Sequence, residues 1–94
     1  NSGNVAITTK DFTISPNPCR TYTTVKFDNP ELCRARVSVI NINTNAEVYT
    51  FTVKNPQVKQ EISIDVQYWA PGLYLITIDK GNGNIMSNKL LKNE

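Results

Sequence analysis

The sequence predicts an all-β domain of about seven antiparallel strands in two layers, and three observations predict it. Apolar residues recur with period two far more often than with period 3.6. Val, Ile, Thr, Tyr and Phe fill those stretches, and their branched or flat side chains suit a pleated surface. Clusters of Pro, Gly and Asn punctuate the chain roughly every 8 to 15 residues, the spacing of short strands joined by tight turns.

Residues 1–11 lack clear periodicity and read as a linker or leading segment, which leaves 12–94 as the folded domain. A short first strand is expected at Phe12 to Ser15. In Ser15-Pro16-Asn17-Pro18 two prolines fix φ and withhold two backbone donors, so the chain must turn before the second strand, Thr21 to Asp28. There Val25 and Phe27 alternate with Thr24 and Lys26, and Asp28-Asn29-Pro30 ends the run. Val37 and Val39 alternate with Arg36 and Ser38 in the third strand, which Asn43-Thr44-Asn45 closes. Tyr49, Phe51 and Val53 alternate with Val48, Thr50 and Thr52, predicting a fourth strand with one better-buried face. After Asn55-Pro56, Ile62, Ile64 and Val66 alternate with Ser63 and Asp65. Ala70-Pro71-Gly72 suits a type II turn, with Gly72 supplying the positive φ. It launches Leu73 to Ile78, apolar on both sides and therefore expected to be an interior strand. The run from Lys80 through Gly81 and Gly83 to Asn84 returns the chain so that Ile85 to Lys92 lies beside it. Seven strands in 94 residues is the pattern of an immunoglobulin-like antiparallel β-sandwich.

Composition excludes most chemistry. The chain has no His, which removes the usual general base, the usual Ser or Cys partner and the commonest metal-ligating side chain. Its eight acidic residues are dispersed, with only Asp28 and Glu31 close together in a loop, so no catalytic residue, cofactor or small-molecule substrate is expected. Asn41, Asn43, Asn45 and Glu47 resemble a Ca²⁺ loop weakly, and a polar hairpin connection accounts for them better. Ten basic residues scattered from Lys10 to Lys92 give a net charge of +2 without a block, which argues against nucleic acid. Apolar runs such as Leu73-Tyr74-Leu75-Ile76 fall far short of the ~20 residues that cross a bilayer. Asn1 to Lys10 lacks the basic start and apolar stretch of a secretory leader, so the leader of an exported parent is expected upstream.

Cys19 and Cys33 fit neither a metal site nor a catalytic pair. The strand between them spans about 25 Å at ~3.3 Å per residue, whereas bridged Cα atoms lie within about 7 Å. Two independent thiols are the favoured reading, with a disulfide as the alternative. Tyr68, Trp69 and Tyr74 could stack on sugar rings, yet Trp69 lies between a strand end and the Pro71-Gly72 turn, where a large ring usually seals the end of a sandwich.

Five segments carry a resemblance: Ser15-Pro16-Asn17-Pro18, Thr23-Thr24-Val25-Lys26-Phe27, Val39-Ile40-Asn41-Ile42, Ala70-Pro71-Gly72-Leu73-Tyr74-Leu75 and Asn88-Lys89-Leu90-Leu91-Lys92. In this order the chain resembles the type A C-terminal sorting domain of the type IX secretion system, over about residues 12 to 92. It departs from the family pattern at Ser15, Ile40, the longer Asn43-Thr44-Asn45-Ala46 connection and Trp69.

The resemblance implies a non-catalytic module attached behind a cargo domain and read in the periplasm by the outer-membrane translocon. A sortase-like peptidase would cut within or before Asn1 to Asp11, and the cargo would reach the outer-membrane surface or the medium. The matching motif positions are Pro16, Asn17, Pro18, Pro71, Gly72, Tyr74, Lys89 and Lys92. The recognised surface is expected near Lys89 and Lys92, with the last strand adding edge contacts to a receptor. The alternative is an immunoglobulin-like accessory or carbohydrate-binding module of a secreted enzyme or adhesin, with Trp69 and the tyrosines as its contact surface.

Overall fold

The computed structural model describes residues 12–81, 83 and 85–94, so the leading segment 1–11 lies outside the described residues. Seven strands form: β1 (Phe12–Ser15), β2 (Tyr22–Asp28), β3 (Arg36–Asn41), β4 (Glu47–Thr52), β5 (Lys59–Asp65), β6 (Gly72–Asp79) and β7 (Ile85–Lys92). They pair antiparallel in two sheets, a three-stranded β1-β2-β5 and a four-stranded β4-β3-β6-β7. The expected β-sandwich is the observed architecture.

The core lies between the sheets and follows the period-two pattern. Val25 and Phe27 from β2, Ile62 and Ile64 from β5, Val37 and Val39 from β3, and Tyr74, Ile76 and Ile78 from β6 are all buried. Met86 and Leu90 of β7, with Phe12, Ala35, Val53 and Val66, close the cluster. Each strand hides alternate side chains because successive Cβ atoms point to opposite sides of the pleat.

Two strands depart from expectation. In β4 only Tyr49 is half-buried and Phe51 stays 41% exposed, although both point to the core face opposite Val39 and Val37. The reason is sheet width: four strands lie over three, so the edge strand β4 has nothing full-width beneath it. An open cleft of about 410 Å³ remains there, lined by Tyr49, Phe51, Val53 and Ile62. β6 is interior in pairing, with β3 on one side and β7 on the other, but is buried on one face only. Leu73 is 42% exposed because, among the described residues, no third layer covers the outer face.

The turns do what their residues require. Asn29, fully buried, ends β2 by donating its side-chain amide to the Cys33 carbonyl at 2.9 Å and accepting the Cys33 N–H at 3.0 Å. The Asn41 side-chain oxygen accepts the N–H groups of Asn43 and Thr44, and Asn45 adopts a positive φ of 62°. That is the polar hairpin connection, its amide oxygen satisfied by its own backbone. Between β6 and β7, Gly81 and Gly83 have φ of 84° and 87°, values only glycine adopts readily.

Cys19 and Cys33 are free thiols. Cys19 is tied to the last residues of β7 and Cys33 to Asn29 beyond the far end of β2, so the length of the sandwich separates them.

Candidate functional site

The segment after β1 binds both sheets. On one side the Thr23 hydroxyl of β2, fully buried, donates to the Pro16 carbonyl at 2.8 Å. On the other the segment runs along β7. The Asn17 side-chain amide donates to the Lys89 carbonyl at 3.0 Å, while its oxygen accepts the Leu91 N–H at 3.0 Å. Cys19 N–H then donates to the Leu91 carbonyl at 2.9 Å, and Asn93 N–H to the Cys19 carbonyl at 2.8 Å. Cys19 thus forms a parallel bridge with Lys92.

Local chemistry explains this strap. Pro16 and Pro18 have no N–H, so only Asn17 and Cys19 can offer donors to a neighbouring strand. A carboxamide carries one donor and one acceptor side in the same plane, as a peptide group does, and Asn17 uses it to fill one step of a ladder. Both X-Pro bonds, Ser15–Pro16 and Asn17–Pro18, are cis.

The consequence is a sealed sheet edge. The outward N–H of Lys89 is taken by the Asn88 side chain at 2.9 Å, and Asn17 or Cys19 takes every outward group from the Lys89 carbonyl to the Asn93 N–H. Strand addition by a receptor, expected from the sequence, therefore finds this stretch of backbone already paired. Over that stretch side chains, not backbone, are what the strap and β7 present outward.

The two lysines of the motif part company. Lys89 is exposed, whereas Lys92 is 4% exposed, on the same face of β7 as buried Leu90, with Nζ donating to the Asn93 carbonyl at 2.9 Å. Beside it the Cys19 thiol is 1% exposed, and burial pushes its pKa above 9.0 with the Lys92 charge pulling partly back.

The crest of the sandwich next to the strap is built on Tyr74. Its ring is 1% exposed and its hydroxyl donates to the Ala70 carbonyl at 2.6 Å, the tyrosine corner of immunoglobulin-like sandwiches. Burial raises its phenol pKa above 10.0. Trp69 packs on it with ring centroids 5.0 Å apart, and Tyr49 lies 6.5 Å from Trp69 on the other side. Trp69, half-buried, packs against the core cluster, as expected for a ring that seals the sandwich end, and Tyr68 beside it is 88% exposed. Pro71 is exposed, and Gly72 starts β6 at φ 144°. A Cβ there would only touch Asn43 at 4.0 Å, so conformation and not space calls for glycine.

Pro16, Asn17, Pro18, Lys89 and Lys92 are thus brought together, and Pro71, Gly72 and Tyr74 form the adjoining crest, with Gly72 opposite Lys92. Thr23 and Cys19 were not legible as site residues. Only the Thr-Thr pair marked one of them, as a strand former. Among the described residues no three Cys, Asp or Glu come together as a metal-holding cluster. Nor, among the described residues, is any helix long and apolar enough to cross a membrane.

No curated protein and no solved structure matches the chain. The family model described as the secretion system C-terminal sorting domain matches residues 13–93, from β1 through the strap and crest to the end of β7. The chain therefore belongs to the secretion system C-terminal sorting domain family, the sorting signal of type IX secretion.

Proposed function

We propose that this module, as the trailing domain of a larger cargo protein, carries that cargo from the periplasm through the type IX translocon to the outer surface or the medium. The unit read is the junction of the Pro16–Cys19 strap with β7, and a sortase-like peptidase then removes the module by cutting ahead of Phe12. The observation that carries this reading is the double hydrogen bond of Asn17 to Lys89 and Leu91, which joins the first and last motifs of the family pattern. With the backbone edge occupied, the receptor reads the outward side chains there, Asn17, Lys89 and Leu91 with the flanking prolines.

The test fuses residues 1–94 to a fluorescent reporter carrying a periplasmic leader, in a bacterium with a working type IX system. Export of the intact fusion is expected, and a version ending at Gly83 should stay periplasmic. Because that deletion also removes β7 from the fold, Lys89→Glu is the sharper variant: it changes an exposed side chain and is expected to cut export while the purified domain melts normally. If the intact, folded fusion stays periplasmic, the sorting reading fails; if Lys89→Glu exports fully, the junction is not what is read.

A further inference from the structure

The outer faces of the two sheets are built differently. On the three-stranded sheet Lys26 meets Glu61 at 3.6 Å, Lys59 meets Asp28 at 3.0 Å and Thr24 lies 3.4 Å from Ser63. On the four-stranded sheet the register aligns Glu47, Ile40, Leu75 and Lys89 in one row across β4, β3, β6 and β7, on the face opposite Tyr74 and Ile76. In the adjoining row Leu73 pairs with Leu91, 42% and 38% exposed, and Ile42, also 38% exposed, donates its N–H to the Leu73 carbonyl. This half of the face is a contiguous apolar patch with an acid at one end and a base at the other. Neither charge takes part in the ion pairs formed among the described residues. Such a patch on a sheet surface marks a contact region.

We infer that this face binds a second copy of the same chain, related by a two-fold axis parallel to the strands. Such an axis lays β4 over β7 and β3 over β6 of the other copy, as in any isologous contact. Glu47 then faces Lys89 of the second copy, Ile40 faces Leu75, and each contact occurs twice. An axis perpendicular to the strands would stack Glu47 on Glu47 and Lys89 on Lys89, so the charge order selects the first arrangement. Sheets pack about 10 Å apart, and the aligned angle of about 30° offsets the outer strands, ~7 Å from the axis, by only about 4 Å, within reach of a lysine stem. The half-face amounts to roughly 300 to 400 Å² per copy, below the ~800 Å² per partner of stable complexes, so the association is weak and concentration-dependent.

Sedimentation equilibrium of the 94-residue chain from about 20 µM to about 1 mM tests this, with far-UV circular dichroism to confirm that each variant is folded. The wild-type mass should rise toward the dimer over this range. Glu47→Lys and Lys89→Glu should each weaken association about tenfold or more, and the double reversal should return it to within about threefold of wild type, since it restores both pairs with the signs exchanged. A chain monomeric at about 1 mM, single variants that associate like wild type, or a double variant no tighter than the singles would each overturn the inference.

Discussion

The two flanks of the sandwich are opposites. At the β7 flank the strap lays Asn17 and Cys19 along the edge strand and occupies its outward hydrogen-bonding groups from the Lys89 carbonyl to the Asn93 N–H. At the β4 flank the edge strand overhangs the narrower sheet, Phe51 is 41% exposed, and the cleft beside Ile62 stays open. The sealed flank holds the family's first and last motifs, while the open one holds only a strand of ordinary composition. Sheet edges invite unwanted pairing, and a dedicated segment closes this one.

Removing the crest that anchors the sealed flank should have the largest effect. Tyr74→Ala deletes a fully buried ring, its contact with Trp69 and its hydroxyl bond, and is expected to cost about 3 to 5 kcal/mol in urea unfolding. Tyr74→Phe keeps the ring and should cost about 1 kcal/mol, the worth of the Ala70 bond. Equal losses from the two would show that the hydroxyl and not the ring holds the corner.

Unzipping the seal itself comes next. Asn17→Ala removes two exposed long-range bonds and should cost about 1 kcal/mol, with the Leu91 amide losing protection in hydrogen exchange while β2 and β5 amides keep theirs. Unchanged Leu91 protection would mean that the strap does not seal the edge.

Alkali should loosen the crest by a smaller amount. Cys19, Tyr49 and Tyr74 all have pKa values raised by burial, so the folded state holds protons that the unfolded chain releases first. Stability is then complete below about pH 8 and falls as pH rises through the unfolded cysteine and tyrosine range toward the folded values. Over that range a thiol reagent should label Cys33 in the native protein and Cys19 only after unfolding, since Cys19 alone is fully buried; labelling of both at equal rates would contradict the buried thiol. The smallest effect belongs to the open flank, where Phe51→Thr should change stability by no more than about 0.5 kcal/mol because the ring is incompletely covered.

The strands, their core-facing sides and most of the turns were legible in the chain alone, because these depend on residues close in sequence: Val25 with Phe27, Val37 with Val39, Ala70 with Gly72. So was the family, since the motif order survives without knowledge of contacts. Which edge is sealed, which lysine is buried and which outer face is apolar emerge from the packing of distant segments. Asn17 meets Lys89 and Leu91 across separations of 72 and 74 residues, and no local period records such a pairing. The exposure of Phe51 and Leu73 likewise follows from the number of strands in each sheet and, among the described residues, the absence of a third layer, which the alternation within one strand cannot express.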